Sequence, residues 1–215
     1  MHPDTPIRLL APLVLAAALV ACAGTPAPRA ERWVAPPMGA TWDIAQRNTG
    51  SYGQDALVRM TRTADGTWKG QPALVFTNPR GGTIKVDPAS GRWFAVSAPN
   101  GNPITSFEPP LGWQFPFEVG AEWTTPYRMT LHAAGERVVD YTLSCRVEAF
   151  EKVTVPAGTF DAFRIGCRTN IDNTETFWTS PELGLFVKTS LRRGPGNPLG
   201  LGTQDAELVA HTIRK

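Results

Sequence analysis

The sequence predicts an all-β protein, an antiparallel meander forming a strongly curved sheet or part-barrel. Three observations predict it. Apolar and polar residues alternate over most of the chain, which is the period of half-buried strands. Glycine and proline, 20 of each in 215 residues, are scattered and cut the chain into many short segments. After the N-terminal segment, no long stretch repeats at helical spacing.

The clearest strands flank Pro156-Ala157-Gly158. Before this turn Val139, Tyr141, Leu143, Cys145, Val147 and Ala149 share one face; after it Phe163, Ile165, Cys167, Thr169 and Ile171 do. Folding the chain at Pro156 sets Cys145 opposite Cys167, Val147 opposite Ile165 and Ala149 opposite Phe163. On the other face Glu148 meets Arg164, a favourable cross-strand pair. The two facing cysteines predict a disulfide in an oxidising compartment. No Cys-x-x-Cys spacing or helix start is present to activate a thiol.

The remaining elements follow in order. Residues 41–47 and 56–63 form strands, and Asp65-Gly66 turns the chain into a strand over 68–77. Residues 83–87 and 92–97 form a hairpin. Residues 99–112, rich in Pro, Gly and Asn, form the longest irregular loop. Strands then follow at 124–133, 137–150, 174–179, 185–191 and 206–213. Together they make one domain over residues 39–215.

The first residues are an address. One basic residue, Arg8, precedes an apolar stretch from Leu9 to Val20. It is shorter than the about 20 residues of a membrane span and suits a signal-peptide core over residues 1–21. The core ends in Leu19-Val20-Ala21-Cys22, which resembles the lipobox of bacterial lipoproteins. The resemblance implies cleavage before Cys22, a diacylglyceryl group on its sulfur and an acylated amino group. Two or three chains anchor firmly where one binds reversibly. By the same resemblance, Ala23 after the cysteine favours the outer membrane, facing the periplasm. Residues 22–38, with Pro26, Pro28, Pro36 and Pro37, form a lipidated tether. Trp33 and Val34 are the first residues suited to a folded body.

Three further segments belong together: Phe117-x-Val119-Gly120-x-x-Trp123, Val153-x-Val155-Pro156-Ala157-Gly158-Thr159-Phe160-x-Ala162, and Phe177-Trp178-x-x-Pro181-x-Leu183-Gly184. They resemble a group of bacterial exported proteins of unknown function. The resemblance covers about residues 83–213 and implies a curved antiparallel structure. It supplies no catalytic residue.

Composition narrows the function. A net charge of +2, with no clustered Lys and Arg, excludes a nucleic-acid footprint. His132 and His211 stand outside any metal-ligand spacing, and no Gly-x-Ser-x-Gly elbow is present. The sequence predicts no cofactor, no metal and no enzymatic activity. Acid pairs that could serve a hydrolase, Glu108 with Glu118 or Asp172 with Glu175, have no motif behind them. The remaining candidates are aromatics. Trp93, Phe107, Trp113, Phe115, Phe117, Trp123 and Trp178 could line a concave apolar face that accepts a lipid or other amphiphile. The alternative is a filled core, with a sheet edge or loop binding another envelope protein.

Overall fold

The computed structural model describes residues 28–214. Fourteen strands run in chain order: β1 (Arg29–Ala30), β2 (Thr41–Gly50), β3 (Ala56–Trp68), β4 (Gln71–Thr77), β5 (Thr83–Val86), β6 (Trp93–Ser97), β7 (Pro103–Leu111), β8 (Phe117–Glu118), β9 (Glu122–Leu131), β10 (Arg137–Val155), β11 (Gly158–Thr169), β12 (Thr174–Ser180), β13 (Leu185–Arg193) and β14 (Gly202–His211). Twelve of them pair antiparallel, almost always with their sequence neighbours. Curvature continues until β14 pairs with β2, closing a barrel. The two-residue β1 and β8 pair with each other.

The central hairpin holds the register read from sequence at Cys145–Cys167 and Val147–Ile165. The two cysteines form a disulfide with an S–S length of 2.05 Å. Beyond Val147 a β-bulge adds one residue to β10, so Ala149 stands opposite Arg164 and Phe150 opposite Phe163. A bulge sets two residues of one strand against one of the other. Glu148 still accepts a hydrogen bond from Arg164 Nε at 3.1 Å.

Two other elements differ from the sequence reading. Residues 103–111 are strand β7, not loop. Pro103 begins the strand, and Pro109 and Pro110 lie beyond its pairing with β9, where no ladder donor is needed. Strand β3 runs through Asp65-Gly66, with Gly66 paired to Ala73. The turn falls instead at Lys69-Gly70, whose φ angles of 47° and 81° suit the primed turn of a tight hairpin.

Outward-facing side chains form ion pairs across strands: Arg59–Asp43, Arg128–Asp140, Arg146–Glu122, Lys152–Asp161 and Lys188–Glu207. Most large apolar strand residues face inward, with Leu57, Ile104 and Val138 as exposed exceptions. This is the reverse of a membrane-spanning barrel, whose outer band is apolar.

An eight-stranded barrel is just wide enough for its own side chains to fill, and diameter grows with strand number. Twelve strands leave surplus space. The segment between β7 and β9 fills part of it. Phe117 is fully buried and stacks with Phe115 at 4.1 Å between centroids, and it meets Phe163 edge-on at 5.6 Å. Trp113 packs edge-on against Phe177 at 4.5 Å and Phe186 at 5.5 Å. Around this insertion Trp123, Tyr127, Tyr141, Leu143, Val147 and Ile165 form one packed zone. A second zone comprises Trp42, Met60, Leu74, Phe76, Val86, Val187 and Leu208.

Candidate functional site

The second zone is not filled. A cavity of about 250 Å³ lies inside the wall made by β12–β14 and β2–β6. Trp113 forms its partition from the packed zone, and its lining is mainly apolar.

The registers order that lining along the barrel axis. Inward residues fall into cross-strand rows. One row contains Ile44, Leu208 and Val187; the next contains Gln46, Ala206, Thr189 and Phe177. A third contains Asn48, Gln204, Leu191, Glu175 and Cys167. The surface therefore changes from apolar to polar toward the end that carries loop 194–201. At that end Arg193 lies 3.8 Å over the Tyr52 ring, and its Nη1 donates to Ser51 O at 3.1 Å and Ser51 Oγ at 3.0 Å. Burial pushes the Glu175 carboxyl up to about 7, against the opposing charge of Arg193. Burial also raises the phenols of Tyr52 and Tyr141, and the Glu175 charge adds to both shifts.

The opposite end is crossed by residues 32–40, which begin in the stretch assigned above to the tether, residues 22–38, and end in the domain. Trp33 borders the cavity, and its Nε1 donates to Gly184 O at 2.9 Å. Its ring lies on Gly91, where an added Cβ would stand 2.6 Å from a ring carbon. Gly184, at φ 65°, lies under Val34 O, and a Cβ there would come within 1.7 Å of it. Arg62 Nη1 donates to Pro36 O at 2.7 Å, and Pro36 is fully buried. The strap is thus pinned on both sides of the barrel mouth.

Of the aromatics singled out in the sequence, Trp93 and Trp113 border the cavity. Phe107, Phe115, Phe117 and Trp123 pack in the other zone. Trp178 faces outward: its Nε1 donates to Glu151 Oε1 at 2.8 Å, and Lys188 Nζ lies 5.7 Å from its ring centre. The neighbouring Phe177 takes the inward position. Trp33, Trp42, Met60, Phe76 and Leu208 also border the cavity, without having been singled out. The Trp42-Ile44-Gln46 and Val58-Met60 alternations were the available signal, because they place these residues on one face. Thr179 borders the cavity too, 4% exposed, and its Oγ1 has no hydrogen-bond partner. Cys22 lies outside the described residues.

The candidate acids do not converge. Glu118 is held by Arg29 at 2.9 Å, and Glu108 stands opposite Arg128 in the β7–β9 ladder. Asp172 sits in the β11–β12 turn at φ 61°. Among the described residues no group of three or more His, Cys, Asp or Glu is placed to hold a metal ion. One chain has the order of a nucleophilic triad: Ser106 Oγ lies 2.9 Å from His132 Nε2, and His132 Nδ1 lies 2.8 Å from Glu136 Oε2. Ser106 is paired on both sides, with Ala95 and Thr130, so the nearby backbone N–H groups belong to the ladder and not to an oxyanion hole. Ser106 shares its face with Lys85, outside the barrel. The chain fixes the 3-10 turn His132–Ala134 against β7.

No protein-family model matches this sequence, and no curated protein does. Solved structures of similar shape include a protein from Bacteroides fragilis described as exported and of YmcC-like fold, at 14% identity and a TM-score of 0.49 over 85% of this chain and 99% of that one. A protein from Parabacteroides distasonis described as a lipoprotein shares 17% identity at a TM-score of 0.46, again over 85% and 99%. The hypothetical lipoprotein YmcC from Escherichia coli K12 shares 12% at 0.43, over 79% and 83%. Likeness of this degree carries no information on ligand or partner.

Proposed function

We propose that this chain is a non-enzymatic binding protein of the bacterial envelope that holds a small lipid-like molecule inside its barrel. It is anchored through lipidated Cys22 and faces the periplasm from the outer membrane. The cavity carries this reading. Interiors normally pack to crystal-like density, with few voids larger than a water molecule. A 250 Å³ space with a mainly apolar lining gives a ligand an apolar surface already formed. The anchor at Cys22 would keep that space beside the membrane, where such molecules are concentrated. The alternative of strand addition at a sheet edge loses its basis in the twelve-stranded barrel, because closure leaves that sheet no edge.

Native mass spectrometry of the chain from Ala23 onward, exported to a bacterial periplasm and purified without detergent, tests the proposal. The expected result is a retained small mass that disappears on unfolding and is lost from Ala206→Phe, which fills the cavity. A bare protein mass, or equal retention by Ala206→Phe, would overturn it.

A further inference from the structure

We infer that the ligand is a single-chain or single-ring amphiphile of about ten carbons with an uncharged head, bound with its head at Gln46 and Gln204 and its tail toward Trp33. This rests on the cavity being a binding site and adds the class and orientation of what it takes.

Size comes first. An apolar cavity of about 150 Å³ accommodates benzene. By that measure a cavity of 250 Å³ holds about ten carbons. Two acyl chains of a membrane phospholipid do not fit.

Orientation follows from the rows. Near the strap the lining includes Trp42, Met60 and Phe76. Two rows on, Gln46 and Gln204 enter from adjacent strands as diagonal neighbours on the inner face. Gln204 Nε2 donates to Asn48 Oδ1 at 3.0 Å, which fixes that amide. The Gln46 carboxamide has no hydrogen-bond partner among the described residues. Each amide offers both donors and an acceptor, and neither is charged. They match a hydroxyl, an amide or a protonated acid.

No cation is directed into the cavity to hold an anionic head. The one lysine bordering the cavity, Lys188, directs its ammonium outward to Glu207 at 3.0 Å. Glu175 stands in the same row as Gln204 but outside the cavity lining, and it faces the opposing charge of Arg193. Arg193 is engaged with Tyr52 and Ser51 at the loop end.

The test uses three probes on the chain from Ala23 onward, whose barrel closes on itself. They are 1-decanol, decanoate at pH 8 and naphthalene, followed by tryptophan fluorescence. Wild type should bind decanol and naphthalene and bind decanoate at least about tenfold more weakly than decanol, because a carboxylate loses its hydration on entering a mainly apolar cavity with no cation directed into it. Gln46→Leu with Gln204→Leu should weaken decanol about tenfold and leave naphthalene unchanged, which also reports that the variant is folded. Equal affinity for decanol and decanoate would overturn the inference while leaving the cavity reading intact, and it needs no variant. Loss of decanol binding by wild type, with naphthalene bound, would do the same. Binding of no probe would remove the cavity reading itself.

Discussion

Removing Trp33 should convert a slow binding site into a fast one. Its ring is half-buried at the barrel mouth, and its Nε1 holds Gly184 O. A tryptophan buries 150–250 Å² when enclosed, so a half-buried ring withdraws about 100 Å² from water, worth about 2.5 kcal/mol. The hydrogen bond adds about 1 kcal/mol. The entropy of ordering the strap is common to wild type and variant, so these contacts alone shift the closed-to-open ratio by about 3 kcal/mol, roughly 150-fold. Trp33→Ala removes most of that preference. The pinning of Pro36 by Arg62 remains, as does the Gly39 N–H donating to Arg62 O, so the barrel stays folded. Stopped-flow fluorescence with naphthalene as probe should show the association rate rising by up to about 100-fold. A residue that only lined the cavity would change dissociation and leave association alone. An association rate within about twofold of wild type would refute the gate and place entry elsewhere.

Three further outcomes are expected. Cys145→Ala with Cys167→Ala opens a loop spanning a sequence separation of 22. In the chain-entropy model that costs about 3 kcal/mol, a fall in Tm of about 10 °C by scanning calorimetry. Two free thiols in denatured, unreduced protein would contradict the disulfide itself. The Glu175 pKa is raised by folding, so its contribution to stability is fully present below the unfolded pKa and is lost as pH rises through about 7. Tm should therefore decline from pH 5 to pH 8 in wild type and much less in Glu175→Gln; parallel curves would rule out this source. Cys22→Ser should leave a full-length precursor without lipid, as read by mass spectrometry of membrane fractions. A mature, membrane-bound variant would refute the lipobox.

What could be read from the sequence was what neighbours in the chain determine. The Cys145–Cys167 and Val147–Ile165 register followed from alternation and one turn. It slipped at Ala149, which stands opposite Arg164 and not Phe163, because a bulge needs no glycine or proline to announce it; the Glu148–Arg164 pair is kept. Pro103, Pro109 and Pro110 concealed β7, because proline signals a loop locally yet is tolerated at strand starts and unpaired ends. Barrel closure depends on pairing Trp42 with His211, far apart in sequence, and alternation alone cannot specify a distant partner. The same limit applies to the site. Phe177 and Trp178 are adjacent, so only one can face inward, and the register shift at Trp178/Thr179 complicates the choice. Which aromatics would fill the barrel and which would border a void depended on the insertion carrying Trp113 and Phe117. Its path through the interior is a tertiary fact.

A crystal structure under xenon pressure tests the central claim most directly, because dry apolar cavities take up xenon. Xenon is expected inside the barrel among Trp42, Phe76 and Leu208, with the surrounding side chains unmoved. Side chains closed over that space, with no xenon bound there, would contradict it.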